Sequence, residues 1–112
     1  KARRAYYANC SYVDSKVGEL LKTLKDADLL DNTIVFFSGD HGDQLGERGL
    51  WFKMHYFEGA ARVPMVAHYP AMFKHHRVSQ SVSTMDILPT FVELAGGFVH
   101  PELPLEGRSM VP

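Results

Sequence analysis

Apolar residues at Tyr7, Cys10, Val13, Val17, Leu20, Leu21 and Leu24 recur at intervals of three and four positions. That spacing puts them on one stripe of an α-helix and predicts a helix over 2–26. Arg3, Arg4, Asn9, Lys16, Glu19 and Lys22 fall largely on the opposite side. Gly18 interrupts the pattern at a cost on the order of 1 kcal/mol relative to alanine, which marks it as a place for another backbone to come close. Cys10 lies on the apolar stripe with no cation near it in sequence, and reads as a small core residue rather than a nucleophile.

Asp26, Asp28, Asp31 and Asn32 surround two leucines and turn the chain out of this helix. Thr33-Ile34-Val35-Phe36-Phe37 follows, apolar without alternation. A β-branched and aromatic run of this type predicts a strand over 33–38 buried on both faces, as in a parallel sheet covered by helices. A helical turn is expected at 58–62, closed by Val63-Pro64 because a residue before proline leaves the α region. A second strand is expected over 64–69, with Pro64 at the position where a missing N–H is tolerated, and a short edge strand over 78–82. Ser83 with Asp86 three residues on is a relaxed capping box that opens a helix over 84–95, and Gly96-Gly97 ends it. Residues 98–112 carry prolines and no period, which predicts an irregular tail lying over the surface. Helix followed by buried strand indicates an α/β fold with a buried, mostly parallel sheet flanked by helices.

With 112 residues, 46% of them hydrophobic, one modest core and a single domain are expected. The net charge is −1 and the signs are mixed, so nothing argues for nucleic acid or an anionic membrane as partner. The basic clusters Arg3-Arg4 and Lys74-His75-His76-Arg77 read as solvated surface. Cys10 is the single cysteine, which excludes an intrachain disulfide framework and fits a reducing, cytoplasmic location. No apolar run approaches the roughly 20 residues that cross a bilayer. The chain opens directly into helical pattern, and it is expected to be an excerpt from a longer protein.

The chemistry-bearing stretch is the expected loop over 39–57. In open α/β sheets ligands bind beyond the carboxyl ends of strands, and Asp40 and His41 stand there with Gly42 behind them. A carboxylate oxygen and an imidazole nitrogen at a strand end suit a divalent cation, with further acids supplied from elsewhere. Taken alone the tripeptide reads more simply as a turn cap beside a hydrogen-bonded loop histidine. Lys53, among Trp51, Phe52 and Met54, either aims a partly desolvated ammonium at an anion or lays its stem over aromatic surface. Glu47-Arg48 and Glu58-Arg62 are at ion-pair spacing and read as structural pairs.

Four segments together resemble the sulfatase family of the alkaline phosphatase superfamily: the helix from Arg4-Ala5-Tyr6-Tyr7 to Asp14, Asp40-His41-Gly42, Arg62-Val63-Pro64, and Asp86-Ile87-Leu88-Pro89-Thr90 with Leu94-Ala95-Gly96. Within it, Leu45-Gly46-Glu47-Arg48-Gly49-Leu50-Trp51-Phe52-Lys53-Met54 followed by Phe57-Glu58-Gly59 is most similar to bacterial choline sulfatases. The resemblance implies an alkaline-phosphatase-like sandwich and hydrolysis of a small-molecule sulfate ester by a formylglycine assisted by calcium or another divalent cation. It implies Asp40 and His41 as metal ligands and Lys53 as the group that holds the sulfate oxygens or neutralises the leaving oxygen. Trp51 and Phe52 could then box a quaternary ammonium such as choline, or serve as core aromatics.

The formylglycine motif, Cys or Ser-x-Pro-x-Arg, is not in these residues: Cys10-Ser11-Tyr12-Val13-Asp14 lacks the proline and the arginine. The nucleophile is therefore expected outside this chain, and the 112 residues by themselves are expected to be inactive. A homo-oligomer of the full-length protein is compatible with all of this. The alternatives are a phosphonate or phosphate ester hydrolase of the same superfamily, and a non-catalytic α/β module in which Asp40 merely binds a cation.

Overall fold

The computed structural model describes residues 1–100, 102 and 105–111. Helix α1 spans Ala2–Asp26, as the three-and-four spacing predicts. Its outer face is laced by Lys16–Glu19 at 2.8 Å and by Lys22–Asp26. Val17, Leu21 and Leu24 are half-buried, whereas Tyr7, Val13 and Leu20 are exposed. Only the carboxyl-side part of the stripe is therefore covered. A 25-residue helix is about 37 Å long, while the four-residue strands beside it reach only about 13 Å. Two expectations fail for the same reason. Cys10 is exposed rather than in a core, and a Cβ added at Gly18 would meet nothing within 4 Å.

Strand β1, Val35–Ser38, begins two residues later than the apolar run. It pairs with β4, Met65–His68, from Val35 opposite His68 to Ser38 opposite Met65. This ladder is antiparallel, and the expected mostly parallel sheet is not seen among the described residues. Parallel neighbours need a crossover, usually a helix. The link between β1 and β4 holds no α-helix longer than the single turn α2, Glu58–Ala61, and the chain returns without a helical crossover. Nor is β1 buried on both faces among the described residues, since Phe37 is exposed and its neighbours are half-buried. Val17 and Leu21 of α1 look across an open apolar groove of about 410 Å³ toward Val35, Phe37 and Val66.

The expected loop over 39–57 contains structure of its own. Strands β2, Gln44–Leu45, and β3, Trp51–Phe52, form a short antiparallel ribbon joined through a 3-10 turn at Glu47–Gly49.

The chain packs as two compact units, Lys1–His75 and His76–Pro112. In the second, Ser83 and Asp86 close the capping box reciprocally ahead of Thr84–Asp86, a 3-10 turn that leads into α3, Ile87–Leu94. Gly96 takes φ +70°, and the amides of Gly96 and Gly97 return to the carbonyls of Glu93 and Val92 at 2.9 Å each, ending the helix as the glycine pair predicts. No strand forms over 78–82. The described part of the tail is irregular, as expected, but it is fastened: Arg108 N–H donates to Asp86 Oδ1 at 2.8 Å and Met110 N–H to Thr90 Oγ1 at 2.9 Å. Gly107 passes so near the Met85 carbonyl that an added Cβ would lie 2.1 Å from its oxygen. Of the tail expectation, Pro101, Leu103, Pro104 and Pro112 lie outside the described residues.

Candidate functional site

Beyond β1 the backbone turns through Gly39 into Asp40 and His41. The Asp40 side chain is 86% exposed. Its Oδ1 accepts the His41 amide at 2.9 Å, and Oδ2 lies 3.4 Å from His41 Nε2. That amide, with lesser help from the His41 ring and the Lys53 ammonium, holds the Asp40 carboxyl below its ordinary value. His41 Nδ1 is 3.0 Å from the Gly42 carbonyl oxygen. A carbonyl can only accept, so Nδ1 carries the proton in the neutral ring and Nε2 presents its lone pair. Lys53 Nζ lies 2.8 Å from that Nε2.

Asp40, His41 and Lys53, the last of them twelve residues beyond His41, are thus one cluster. Lys53 is exposed, and its ammonium ends on the imidazole rather than among the aromatics beside it. The backbone that approaches Gly42 shows why glycine stands there: a Cβ would fall 2.2 Å from the Gly59 carbonyl oxygen, while Gly42 N–H donates to Ala60 O at 2.8 Å. These contacts seat the Asp-His-Gly turn directly on α2.

The ribbon presents Lys53 from the other side, immediately after β3. Phe52 takes φ +69°, a conformation that a bulky side chain holds only when its surroundings impose it. Trp51 is 42% exposed and borders Gly46, where a Cβ would be 3.2 Å from the indole. Neither Trp51 nor Phe52 is buried, so neither is a core aromatic among the described residues.

The pair Glu58–Arg62 forms at 3.4 Å, but Glu47 and Arg48 part company. The Arg48 guanidinium stacks 4.4 Å over the Phe57 ring. Glu47 instead meets Arg3 at 3.2 Å and accepts the Leu45 amide at 2.6 Å, and that amide, with the Arg3 charge adding less, lowers the Glu47 carboxyl from its ordinary value. Arg3, read as solvated surface, also donates Nε–H to the Leu45 carbonyl at 2.6 Å. Sequence spacing gave no sign of this contact across 42 residues. Two further features were missed. Gln44 is 2% exposed, and its Nε2 lacks a partner among the described residues. Tyr6 is pushed above its ordinary value by burial first and then by the Asp43 carboxylate.

Asp40 and His41 supply one oxygen and one nitrogen donor at adjacent positions, which fits two ligands of a divalent cation. Among the described residues no group of three or more His, Cys, Asp or Glu side chains stands ready to enclose one.

The sulfatase family model matches residues 1–97. The chain belongs to the sulfatase family. It is 48% identical over its whole length to the choline-sulfatase of Rhizobium meliloti strain 1021, of which it covers 22%. Among solved sulfatase-like structures, a phosphonate monoester hydrolase of Agrobacterium radiobacter superposes with a TM-score of 0.88 at 29% identity, over 98% of this chain and 22% of that one. A structure in complex with its substrate D-glucosamine-2-N,6-O-disulfate gives a TM-score of 0.74 at 34% identity, over 89% of this chain and 20% of that one. The chain thus spans about a fifth of the length of the proteins it matches, and an α/β fold is consistent with these neighbours.

Proposed function

We propose that the protein containing this chain is a sulfuric ester hydrolase and that these residues form one half of its active site. The observation that carries the reading is the Lys53 ammonium 2.8 Å from His41 Nε2, with the Asp40 carboxylate 3.4 Å from the same nitrogen, inside a match to the sulfatase family. Asp40 and His41 would hold a divalent cation, calcium or another, which would take the Nε2 lone pair and free the Lys53 ammonium for the anion, with its remaining ligands supplied by residues outside these 112. When bound, such a cation neutralises charge on the sulfate oxygens. Lys53 stands where negative charge develops and offers three N–H donors to the sulfate or to the leaving oxygen. The nucleophile, a formylglycine in this reading, also comes from outside these residues.

Choline is the leaving group we favour, on the strength of 48% identity to a choline-sulfatase. Trp51, partly exposed on the ribbon that presents Lys53, is the aromatic face offered to its quaternary ammonium. A second reading, phosphonate ester hydrolysis, has a specific observation behind it, the TM-score of 0.88 to a phosphonate monoester hydrolase. Steady-state assays of the full-length protein on choline sulfate, an aryl sulfate and a phosphonate monoester decide between them. The expected order of kcat/KM is choline sulfate, aryl sulfate, phosphonate. Preference for the phosphonate would replace the first reading with the second, and no turnover of any of the three would remove both.

A further inference from the structure

Resting on the role given to Lys53 above, we propose that Arg3 and Glu47 are positioning residues, a clamp that fixes the β2–β3 ribbon to helix α1 and thereby sets where the Lys53 ammonium stands.

Leu45 is the centre of the clamp. Its carbonyl oxygen accepts Arg3 Nε–H at 2.6 Å, and its amide donates to Glu47 Oε2 at 2.6 Å. Arg3 Nη2 closes the ring on Glu47 Oε1 at 3.2 Å. Both backbone polar groups of Leu45 are thus taken by side chains, so the edge of β2 is finished by a guanidinium and a carboxylate instead of another strand. On its other side the ribbon is held by its own register, Leu45 opposite Trp51 and Gln44 opposite Phe52, and by Gly46 N–H donating to Leu50 O at 2.9 Å. Lys53 is the next residue after β3.

Two features of the ribbon lie next to the clamp and to Lys53. Phe52 is held at φ +69° immediately before Lys53, a conformation that persists where neighbours over-determine it. Gly46 sits at φ +100° with the Trp51 indole and the Arg3 guanidinium closing over it, 3.2 and 3.5 Å from where a Cβ would be. Side-chain exposures of 54% and 52% mean that the ion pair by itself adds little to stability. Its consequence is geometric. An ammonium displaced by about an ångström from developing charge can lose two orders of magnitude in rate. A planar fork that engages a carbonyl and a carboxylate together fixes direction as a point charge cannot.

The test uses the full-length protein and measures kcat/KM for a sulfate ester with Arg3→Ala, Lys53→Ala and the double variant, alongside thermal unfolding. Arg3→Ala is expected to lower kcat/KM about tenfold. In the Lys53→Ala background the same change is expected to cost less than twofold, because no ammonium is left to misplace. A merely structural role would cost the same factor in both backgrounds, and that result, or no loss in either, overturns the clamp. Glu47→Gln keeps an acceptor for the Leu45 amide and is expected to retain more activity than Glu47→Ala, which decides the matter if Arg3→Ala proves unfolded at the assay temperature. Equal loss in the two Glu47 variants would count against it. Full activity in Lys53→Ala overturns the reading of Lys53 itself, and no turnover by the wild-type protein overturns both.

Discussion

Asp40 and Asp86 are two aspartates with lowered pKa and opposite circumstances. Asp86 has each oxygen filled by a backbone donor, Ser83 N–H on Oδ2 and Arg108 N–H on Oδ1, both at 2.8 Å. Asp40 accepts the amide of the next residue on Oδ1, and its Oδ2 faces the His41 ring with the side chain 86% exposed. The first carboxylate is saturated and organises chain. The second keeps acceptor capacity for something that arrives. A lowered pKa therefore says that charge is stabilised, while the identity of the donors says whether that charge is available for chemistry.

The sharpest way to break this contrast is at the cation beside Asp40. Lys53→Ala is expected to lower sulfate ester turnover of the full-length protein by about two to three orders of magnitude, the usual effect of removing one donor to developing negative charge, with the fold intact by circular dichroism. Turnover within a few-fold of wild type would take Lys53 out of the mechanism. On the structural side, Thr90 donates to Asp86 O at 2.5 Å and accepts Met110 N–H while 5% exposed. Thr90→Val keeps the shape, strands the Met110 amide and removes one of the bonds to Asp86 O, so thermal or denaturant unfolding should show a loss of about 1–3 kcal/mol with kcat/KM on sulfate esters unchanged. A large fall in kcat/KM in a folded variant would make this region more than a scaffold.

The smallest expected effect is in acid. Both carboxyls are lowered from 3.8, and a carboxyl lowered only in the folded state contributes stability that is fully present above that value and is lost as pH falls through the folded value below it. The donors again divide them. The amide on Asp40 belongs to the adjacent residue and can persist in an unfolded chain, whereas Arg108 is 22 residues from Asp86 and cannot. Asp86→Asn should flatten the acid limb of the stability profile below about pH 4, and Asp40→Asn should leave it nearly as it is. The reverse order would show that Asp40 is the tertiary carboxylate.

What is legible in the sequence follows the range of each signal. The period of α1, the reciprocal Ser83 and Asp86 cap, and the Asp-His-Gly turn at the end of β1 are local, and each appears where the pattern puts it. The direction of strand pairing was not legible, because an apolar run records burial and not its neighbour. Two-residue strands such as β2 and β3 are too short to show a period. Within the candidate site, Asp40, His41 and Lys53 were singled out as separate side chains, and the structure adds that they touch. Arg3 on Leu45 and Glu47, and the burial of Gln44, depend on contacts that no spacing rule encodes.

The contrast between the two aspartates is tested most directly by calcium titration of the full-length protein, followed calorimetrically, with Asp40→Ala and Asp86→Ala beside the wild type. Asp40→Ala is expected to weaken calcium binding at least tenfold with little change in Tm, and Asp86→Ala to lower Tm by several degrees while calcium binds as in the wild type. Undiminished calcium affinity in Asp40→Ala, or its loss in a folded Asp86→Ala, would contradict it.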